Sequence, residues 1–155
     1  MRITDYLQKE CIKVILEGNT KEEIILELLD LIIQNHPEID EKDARKGLLE
    51  RENLESTAIG DGIAIPHTKI EKGQNISAAL GLLHKDVKFN SLDNKPIKLV
   101  FLILYPKDKV NLQLRFLARV SRLLQHSNLQ VSLFECKTLD DVLDTFRHYE
   151  DKHFH

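Results

Sequence analysis

Cysteine is scarce in this sequence of 155 residues, which contains only Cys11 and Cys136. Two cysteines so far apart form no C-x-x-C pattern, so the sequence predicts neither a zinc site nor a redox-active pair of thiols. Free cysteines are typical of proteins in a reducing compartment, and we therefore expect a cytoplasmic protein with reduced thiols. We also expect its function to need no metal ion and no cofactor.

Long apolar segments are absent as well. The longest apolar run, LVFLILY at residues 99–105, is much shorter than the roughly 20 residues that a bilayer-spanning helix needs. The opening residues, MRITDYLQKE, contain no apolar stretch of the kind found in a secretory signal. We therefore expect neither a signal peptide nor insertion into a membrane.

Positive charge is not in excess, since 22 lysines and arginines are set against 25 aspartates and glutamates. The resulting net charge of −3 argues against nucleic acid as a partner, because proteins that bind it carry strongly basic surfaces. The length predicts one domain, residues 1–155, which is large enough to bury about two thirds of its unfolded surface.

Amphipathic helices and apolar strands alternate along the chain. Segments 76–85 and 97–106 are apolar on both faces, which is typical of strands in a sheet that is covered on both sides. The periodicity elsewhere predicts helices that begin after Thr20, Asp40 and Thr138, one at residues 111–125, and a short N-terminal helix capped by Thr4. Residues 129–136 are ambiguous, but the spacing of Leu129 and Leu133 favours a short helix there. We therefore predict an α/β fold whose sheet is flanked by helices on both faces, an α/β/α sandwich.

Apolar spacing within two of these helices also predicts which residues face the core. The inward residues are expected to be Leu114, Leu117, Val120, Leu123 and Leu124 in the 111–125 helix, and Ala44, Leu48 and Leu49 in the helix after Asp40. A strand or extended piece is predicted at residues 11–16, and a strand or hairpin at residues 56–68. The final residues, 152–155, are expected to fray.

His67 stands out among the seven histidines because of the segment GDGIAIPHTK, residues 60–69, in which it lies. Gly60 and Gly62 permit unusual backbone angles, and Pro66 fixes one dihedral and keeps the residue before it extended. The imidazole is therefore expected to project from a stiff strand end rather than from a loose loop.

The residue types near His67 suit phosphoryl transfer. A neutral imidazole, with an ordinary pKa of ~6.5, is a competent nucleophile if its second nitrogen keeps a proton, ideally against a backbone carbonyl. Arg51, 16 residues earlier, can bind two phosphate oxygens, and Ser56, Thr57 and Thr68 offer hydroxyl groups. Spacing alone leaves open that His67 is structural and that Arg51 is a solvated helix residue.

The stretch LLERENLESTAIGDGIAIPHTK, residues 48–69, closely resembles the phosphohistidine motif of the fructose/mannitol-type IIA domains of the bacterial phosphotransferase system. A second stretch, DNKPIKLVFLILYP at residues 93–106, is similar to that family's entry into its central strand. The resemblance implies a mixed β-sheet between helical layers and a phosphotransferase role. It further implies that His67 accepts a phosphoryl group from HPr or an HPr paralogue, with Arg51 beside the phosphate.

One position departs from the family pattern. Gln113 occupies the place of the family's second histidine, with Leu114 and Leu117 after it. A glutamine amide can still donate to a phosphate oxygen, but it adds no positive charge. We expect slower or less favourable phosphorylation, and a regulatory binding module that is not phosphorylated is the alternative.

The sequence leaves open which partner interacts with the protein besides the phosphoryl donor. The motif resembles the nitrogen-regulatory IIA subgroup most, which implies regulated target proteins. The alternative is a fructose-type transport component that passes phosphate to a IIB domain. Arg115, Arg119 and Arg122 lie at helical spacing after Gln113, either as a solvated basic face or as a face for partner docking.

Overall fold

The computed structural model describes residues 1–91 and 93–154, which form one mixed, six-stranded sheet with helices on both faces. The strands are β1 (Ile12–Lys13), β2 (Ala58–Gly60), β3 (Ile63–Ala64), β4 (His67–Ile70), β5 (Ser77–Val87) and β6 (Ile97–Pro106). The α-helices are α1 (Lys21–Asn35), α2 (Glu41–Leu54), α3 (Val110–Leu124), α4 (Ser127–Glu135) and α5 (Leu139–His153). Among these described residues, no helix is both long enough and apolar enough to cross a membrane.

The sheet order is β1-β5-β6-β3-β2, and β4 also pairs with β6. Strands β5 and β6 are antiparallel, whereas β3 and β4 both run parallel to β6. Ala64 pairs with Val100 and His67 pairs with Ile103, so β3 and β4 follow one another along the same edge of β6. They form a single strand path that is interrupted at Ile65 and Pro66.

The sheet separates two hydrophobic cores, which confirms the predicted sandwich. On one face, Phe101 of β6 lies 6.1 Å from Phe116 of α3 and 6.4 Å from Phe146 of α5, measured between ring centroids. On the other face, helices α1 and α2 pack against residues such as Val100 and Leu102. Each fully buried side chain of this size contributes about 1.5–3 kcal/mol relative to an exposed one.

Three predicted helix starts are confirmed by side-chain caps. The hydroxyl oxygen of Thr20 accepts from the amide of Glu23 at 3.2 Å, and that of Thr138 accepts from Asp141 at 3.1 Å. The carboxylate of Asp40 accepts from the amides of residues 42 and 43. Such caps form locally because they satisfy amides that have no partner within the helix.

The two ends of the chain differ from expectation. The N-terminal segment forms two 3-10 turns, Ile3–Asp5 and Lys9–Cys11, and not a helix capped by Thr4. The amide of Ile3 is instead held by the carboxylate of Glu150 at 2.9 Å. Helix α5 continues to His153 and Phe154 is half-buried, so the predicted fraying is wrong for residues 152–154. His155 lies outside the described residues.

Candidate functional site

His67 is the first residue of β4, and its ring orientation is set by the backbone just before it. The residues at 56–68 form the hairpin β2–β3, and after the interruption at Ile65 and Pro66 the histidine opens the next strand. Its Nδ1 lies 2.8 Å from the carbonyl oxygen of Ile65. A carbonyl can only accept, so Nδ1 carries the proton and Nε2 keeps its lone pair.

The environment of His67 favours the neutral ring. Partial burial of the imidazole lowers the pKa of His67 below its ordinary value of 6.5, although the hydrogen bond to Ile65 acts in the opposite direction. The cationic Arg51 lowers the pKa further and the anionic Glu52 raises it. A lowered pKa means that most molecules present an unprotonated Nε2 at neutral pH.

A tight turn upstream fixes the hairpin that leads to the histidine. Gly60, Asp61 and Gly62 have φ values of 94°, 56° and 79°, a run of left-handed backbone that glycine adopts readily. The carboxylate of Asp93 accepts from the amide of Asp61 at 3.0 Å and ties this turn to the segment before β6. The glycines therefore serve the turn, as their spacing indicates.

Arg51 and His67 line one surface cavity of about 450 Å³. Arg51 lies in the last turn of α2, where its Nη1 donates to the carbonyl oxygen of Glu55 at 2.8 Å. The other walls are formed by the α2–β2 connection and one face of α3, and include Ser56, Thr57, Ile59, Leu114, Leu117, Ala118 and Ser121. The structure thus brings a nucleophilic ring and a guanidinium group to one opening.

The three hydroxyl groups proposed from sequence have different surroundings. Ser56 donates to the carbonyl oxygen of Phe89 and accepts from the amide of Ala58. Thr57 donates to the carboxylate of Glu52 at 2.6 Å. Both residues line the cavity, but their hydroxyl protons are already bound to protein oxygens.

Thr68 belongs to a different part of the surface. It lies against Gly47 of α2 and lines a neighbouring cavity with Lys69 and Glu71. Successive side chains of a strand point to opposite faces, so Thr68 faces away from the side on which His67 lies. The two cavities share only Arg51 among the residues described as lining them.

Helix α3 is rotated relative to the sequence prediction. Leu114 is 56% exposed and lines the cavity, so the prediction that it belongs to the core stripe is wrong. Leu117 is half-buried, packs against the core and also lines the cavity. The other predicted core residues of α3 are buried as predicted: Val120, Leu123 and Leu124. Gln113 and Phe116 are buried instead. Likewise, Leu49 of α2 is only half-buried. The side chain of Gln113 is 3% exposed, and its Nε2 has no hydrogen-bond partner within residues 1–91 and 93–154.

Residues 5–149 match the family model of the phosphoenolpyruvate-dependent sugar phosphotransferase system, EIIA 2. The chain belongs to this family. The match covers the hairpin, the histidine and the cavity, and it confirms the family resemblance seen in the sequence.

Two curated relatives of this EIIA domain differ in role and in length. A nitrogen regulatory protein from Bradyrhizobium diazoefficiens is 36% identical over 137 residues, 86% of each chain. The fructose-specific EIIABC component from Bacillus subtilis is 33% identical over 150 residues, which are 97% of this chain but only 24% of that protein. The chain thus spans about a quarter of the length of the second relative.

The fold of the EIIA domain also matches a solved structure. The crystal structure of nitrogen regulatory protein IIA-Ntr from Neisseria meningitidis has a TM-score of 0.85 and 24% identity, covering 93% of this chain and 98% of that one. At this level of identity the comparison shows a shared fold.

Glu52 is a residue of the site that the sequence reasoning did not select. Its carboxylate is 3% exposed and accepts from both the amide and the hydroxyl of Thr57. Lys21 Nζ lies 3.9 Å from Glu52 Oε1. Glu52 follows Arg51 directly in the sequence, and this adjacency was the available signal, but only the fold shows that the glutamate is buried beside the site.

Two of the three arginines considered for docking are engaged within the EIIA domain. Arg119 Nε donates to Glu150 at 2.7 Å, and the guanidinium carbons of Arg119 and Arg122 lie 4.2 and 5.1 Å from the ring centroid of Phe154. Arg115 is exposed. The interpretation of these arginines as a solvated basic face is therefore wrong for Arg119, which connects α3 to the end of α5.

The site offers a nucleophilic nitrogen and a cation at one opening. Among the described residues, no three histidine, cysteine, aspartate or glutamate side chains come together in a way that could hold a metal ion. The described geometry supports attack by Nε2 on an electrophile whose negative charge Arg51 can bind.

Proposed function

We propose that the protein is a histidine phosphocarrier in which Nε2 of His67 accepts a phosphoryl group from an HPr-like carrier protein. The observation that carries this proposal is the hydrogen bond from Nδ1 to the carbonyl oxygen of Ile65. It leaves Nε2 as the nucleophilic nitrogen in a residue that shares a cavity with Arg51. Membership of the EIIA type 2 family supports the same chemistry.

In the proposed step, the Nε2 lone pair forms a bond to phosphorus as the bond between phosphorus and the donor breaks. The proton stays on Nδ1, so the phosphorylated ring carries a formal positive charge. The carbonyl of Ile65 and the nearby carboxylate of Glu52 stabilise that charge. Arg51 uses one N–H on Glu55 and has others to bind the phosphoryl oxygens. Positioning and charge stabilisation dominate phosphoryl transfer, so this set of groups is sufficient.

A protein donor is supported by the surface around the opening. Leu114 and Ile59 are large apolar residues that line the cavity and are exposed, and Leu54 nearby is 85% exposed. Exposed apolar side chains grouped at one place are typical of surfaces that contact other proteins. A small polar donor would gain little from these contacts.

The use of the phosphoryl group is proposed to be regulatory. The nitrogen regulatory relative matches this chain over most of both lengths, which supports control of target proteins by phosphorylation state. The fructose-specific relative supports a second candidate, transfer of the group to a IIB domain of a sugar permease. The phosphorylated protein should pass its phosphoryl group to such a IIB domain only if it is a sugar-transport component.

The acceptor role is tested by intact mass after incubation with phosphoenolpyruvate, enzyme I and HPr. We expect a gain of one phosphoryl group that is acid-labile and base-stable, that His67→Ala abolishes, and that the control His36→Ala retains. No gain under conditions that label a known IIA domain would overturn the carrier proposal. That result would leave the alternative function, a regulatory module that binds partners and is not phosphorylated.

A further inference from the structure

Glu52 occupies a position that is unfavourable on electrostatic grounds. It lies in the last turn of α2, where unsatisfied carbonyl groups make the helix end negative, and it is almost completely buried. A buried carboxylate in such a place needs compensation, which here comes from Thr57 and, at 3.9 Å, from Lys21. Local conflicts of this kind occur most often where function requires them.

A chain of hydrogen bonds leads from this carboxylate to the imidazole of His67. Glu52 accepts from the amide of Thr57 at 3.2 Å and from its hydroxyl at 2.6 Å. The carbonyl oxygen of Thr57 accepts from the amide of Ile65 at 3.0 Å. The carbonyl oxygen of Ile65 then accepts from Nδ1 of His67 at 2.8 Å. Each bond fixes the residue that makes the next one.

Ile65 depends on this chain because it lies outside the sheet ladder. Strand β3 ends at Ala64 and β4 begins at His67, so neither strand holds Ile65. Its amide is bound by Thr57 and its carbonyl by the histidine ring. Pro66, the next residue, has no amide hydrogen to add a further bond. The next carbonyl, that of Pro66, accepts from the amide of Ile103 at 2.9 Å, so β6 and Thr57 together hold this segment, and Thr57 is the partner of the Ile65 amide itself.

We propose that Glu52 and Thr57 are positioning residues that hold His67 in its reactive tautomer through the backbone of Ile65. Glu52 fixes the loop between α2 and β2, Thr57 fixes Ile65, and Ile65 binds the Nδ1 proton. The importance of this tautomer for transfer rests on the proposed phosphocarrier function. The tautomer itself is measurable in the protein without any donor.

The first test uses Thr57→Val, which keeps the shape of the side chain but removes the hydroxyl that binds Glu52. Long-range proton–nitrogen NMR of the His67 ring reports which nitrogen carries the proton. We expect the nearly pure Nδ1–H form of the native protein to become a mixture of tautomers. The phosphorylation rate should fall about tenfold, by analogy with the lower range seen when the hydrogen-bond partners of metal-binding histidines are removed. Thr57→Ser, which retains the hydroxyl, should keep the native tautomer and the native phosphorylation rate.

Glu52→Met, which removes both acceptor oxygens at similar side-chain length, tests the same chain from its other end, and Glu50→Met on the exposed side of α2 is the matched control. We expect the tautomer mixture and slower phosphorylation in the first variant and native behaviour in the second. Folding of each variant is checked by circular dichroism and thermal unfolding.

Folded Thr57→Val and Glu52→Met proteins that keep the native Nδ1–H tautomer would overturn the positioning proposal, even if His67 is phosphorylated normally. A tautomer mixture in both variants supports the proposal, even if no phosphoryl group is ever accepted. In that second outcome only the phosphocarrier function fails, so the two proposals are separable.

Discussion

Replacement of Gln113 by methionine is predicted to stabilise the fold. The Nε2 of Gln113 is buried and has no partner among the described residues, and a buried donor without a partner costs about 1–3 kcal/mol. Methionine has a similar length and flexibility, so it can fill the same space without the amide. Gln113→Met should therefore raise the free energy of unfolding by about 1–3 kcal/mol.

The gain is measurable by urea unfolding and by thermal unfolding. For a chain of this size, 1 kcal/mol corresponds to a shift in Tm of about 2–4 °C. The matched control is Gln125→Met, a change at an exposed residue that follows α3, for which we expect less than about 0.5 kcal/mol.

The same variant tests whether the amide of Gln113 serves the phosphorylated form. Gln113 is buried and is not among the residues that line the cavity with His67, so its amide reaches a phosphoryl oxygen only if the side chain turns toward the opening, and in that case Gln113→Met is phosphorylated more slowly. A variant that is no more stable than the native protein would refute the reasoning about the unpartnered amide. Native phosphorylation in a stabilised variant would show that Gln113 does not assist the phosphoryl group.

Three further predictions concern charge. Arg51→Ala should raise the pKa of His67 because it removes a nearby cation. The variant should fold almost normally but be phosphorylated about 100-fold more slowly. If circular dichroism shows that the variant is unfolded, Arg51 is a structural residue. Glu150→Ala should cost about 3–5 kcal/mol in urea unfolding because it leaves buried partners unpaired, whereas the exposed control Asp151→Ala should cost less than about 1 kcal/mol. Native stability should fall as pH drops from 6.5 to the lowered pKa of His67, since the unfolded ring takes up a proton first. His67→Gln should lose this dependence, and an unchanged pH profile would contradict the lowered pKa.

Features that depend on short segments were predictable from the sequence. The caps at Thr20, Asp40 and Thr138 follow from the residue itself and the amides two or three positions later. Strands β5 and β6, buried over most of their length, follow from the apolar residues on both faces of segments 76–85 and 97–106, and the turn before His67 follows from its glycines. Local chemistry decides these features, so local sequence reveals them.

Features that depend on which elements meet were not predictable. The rotation of α3 places Leu114 at the cavity and Gln113 in the interior, although both lie near the same apolar stripe. Arg119 contacts Glu150 in α5 and Phe154 just after that helix, and Thr68 lies against α2. Helical spacing identifies the apolar stripe of a helix. It does not show which residues at the margin of that stripe a neighbouring element will bury.

The sequence by itself determined the α/β architecture, the turn and the motif that contains His67, because each is encoded in neighbouring residues. Only the tertiary structure brought Arg51 to the same cavity and buried Glu52 behind Thr57. It also fixed the proton on Nδ1 through the carbonyl of Ile65. These contacts bring the end of α2 close to the interruption between β3 and β4. Packing of α2 and α3 against the sheet sets the distances between them.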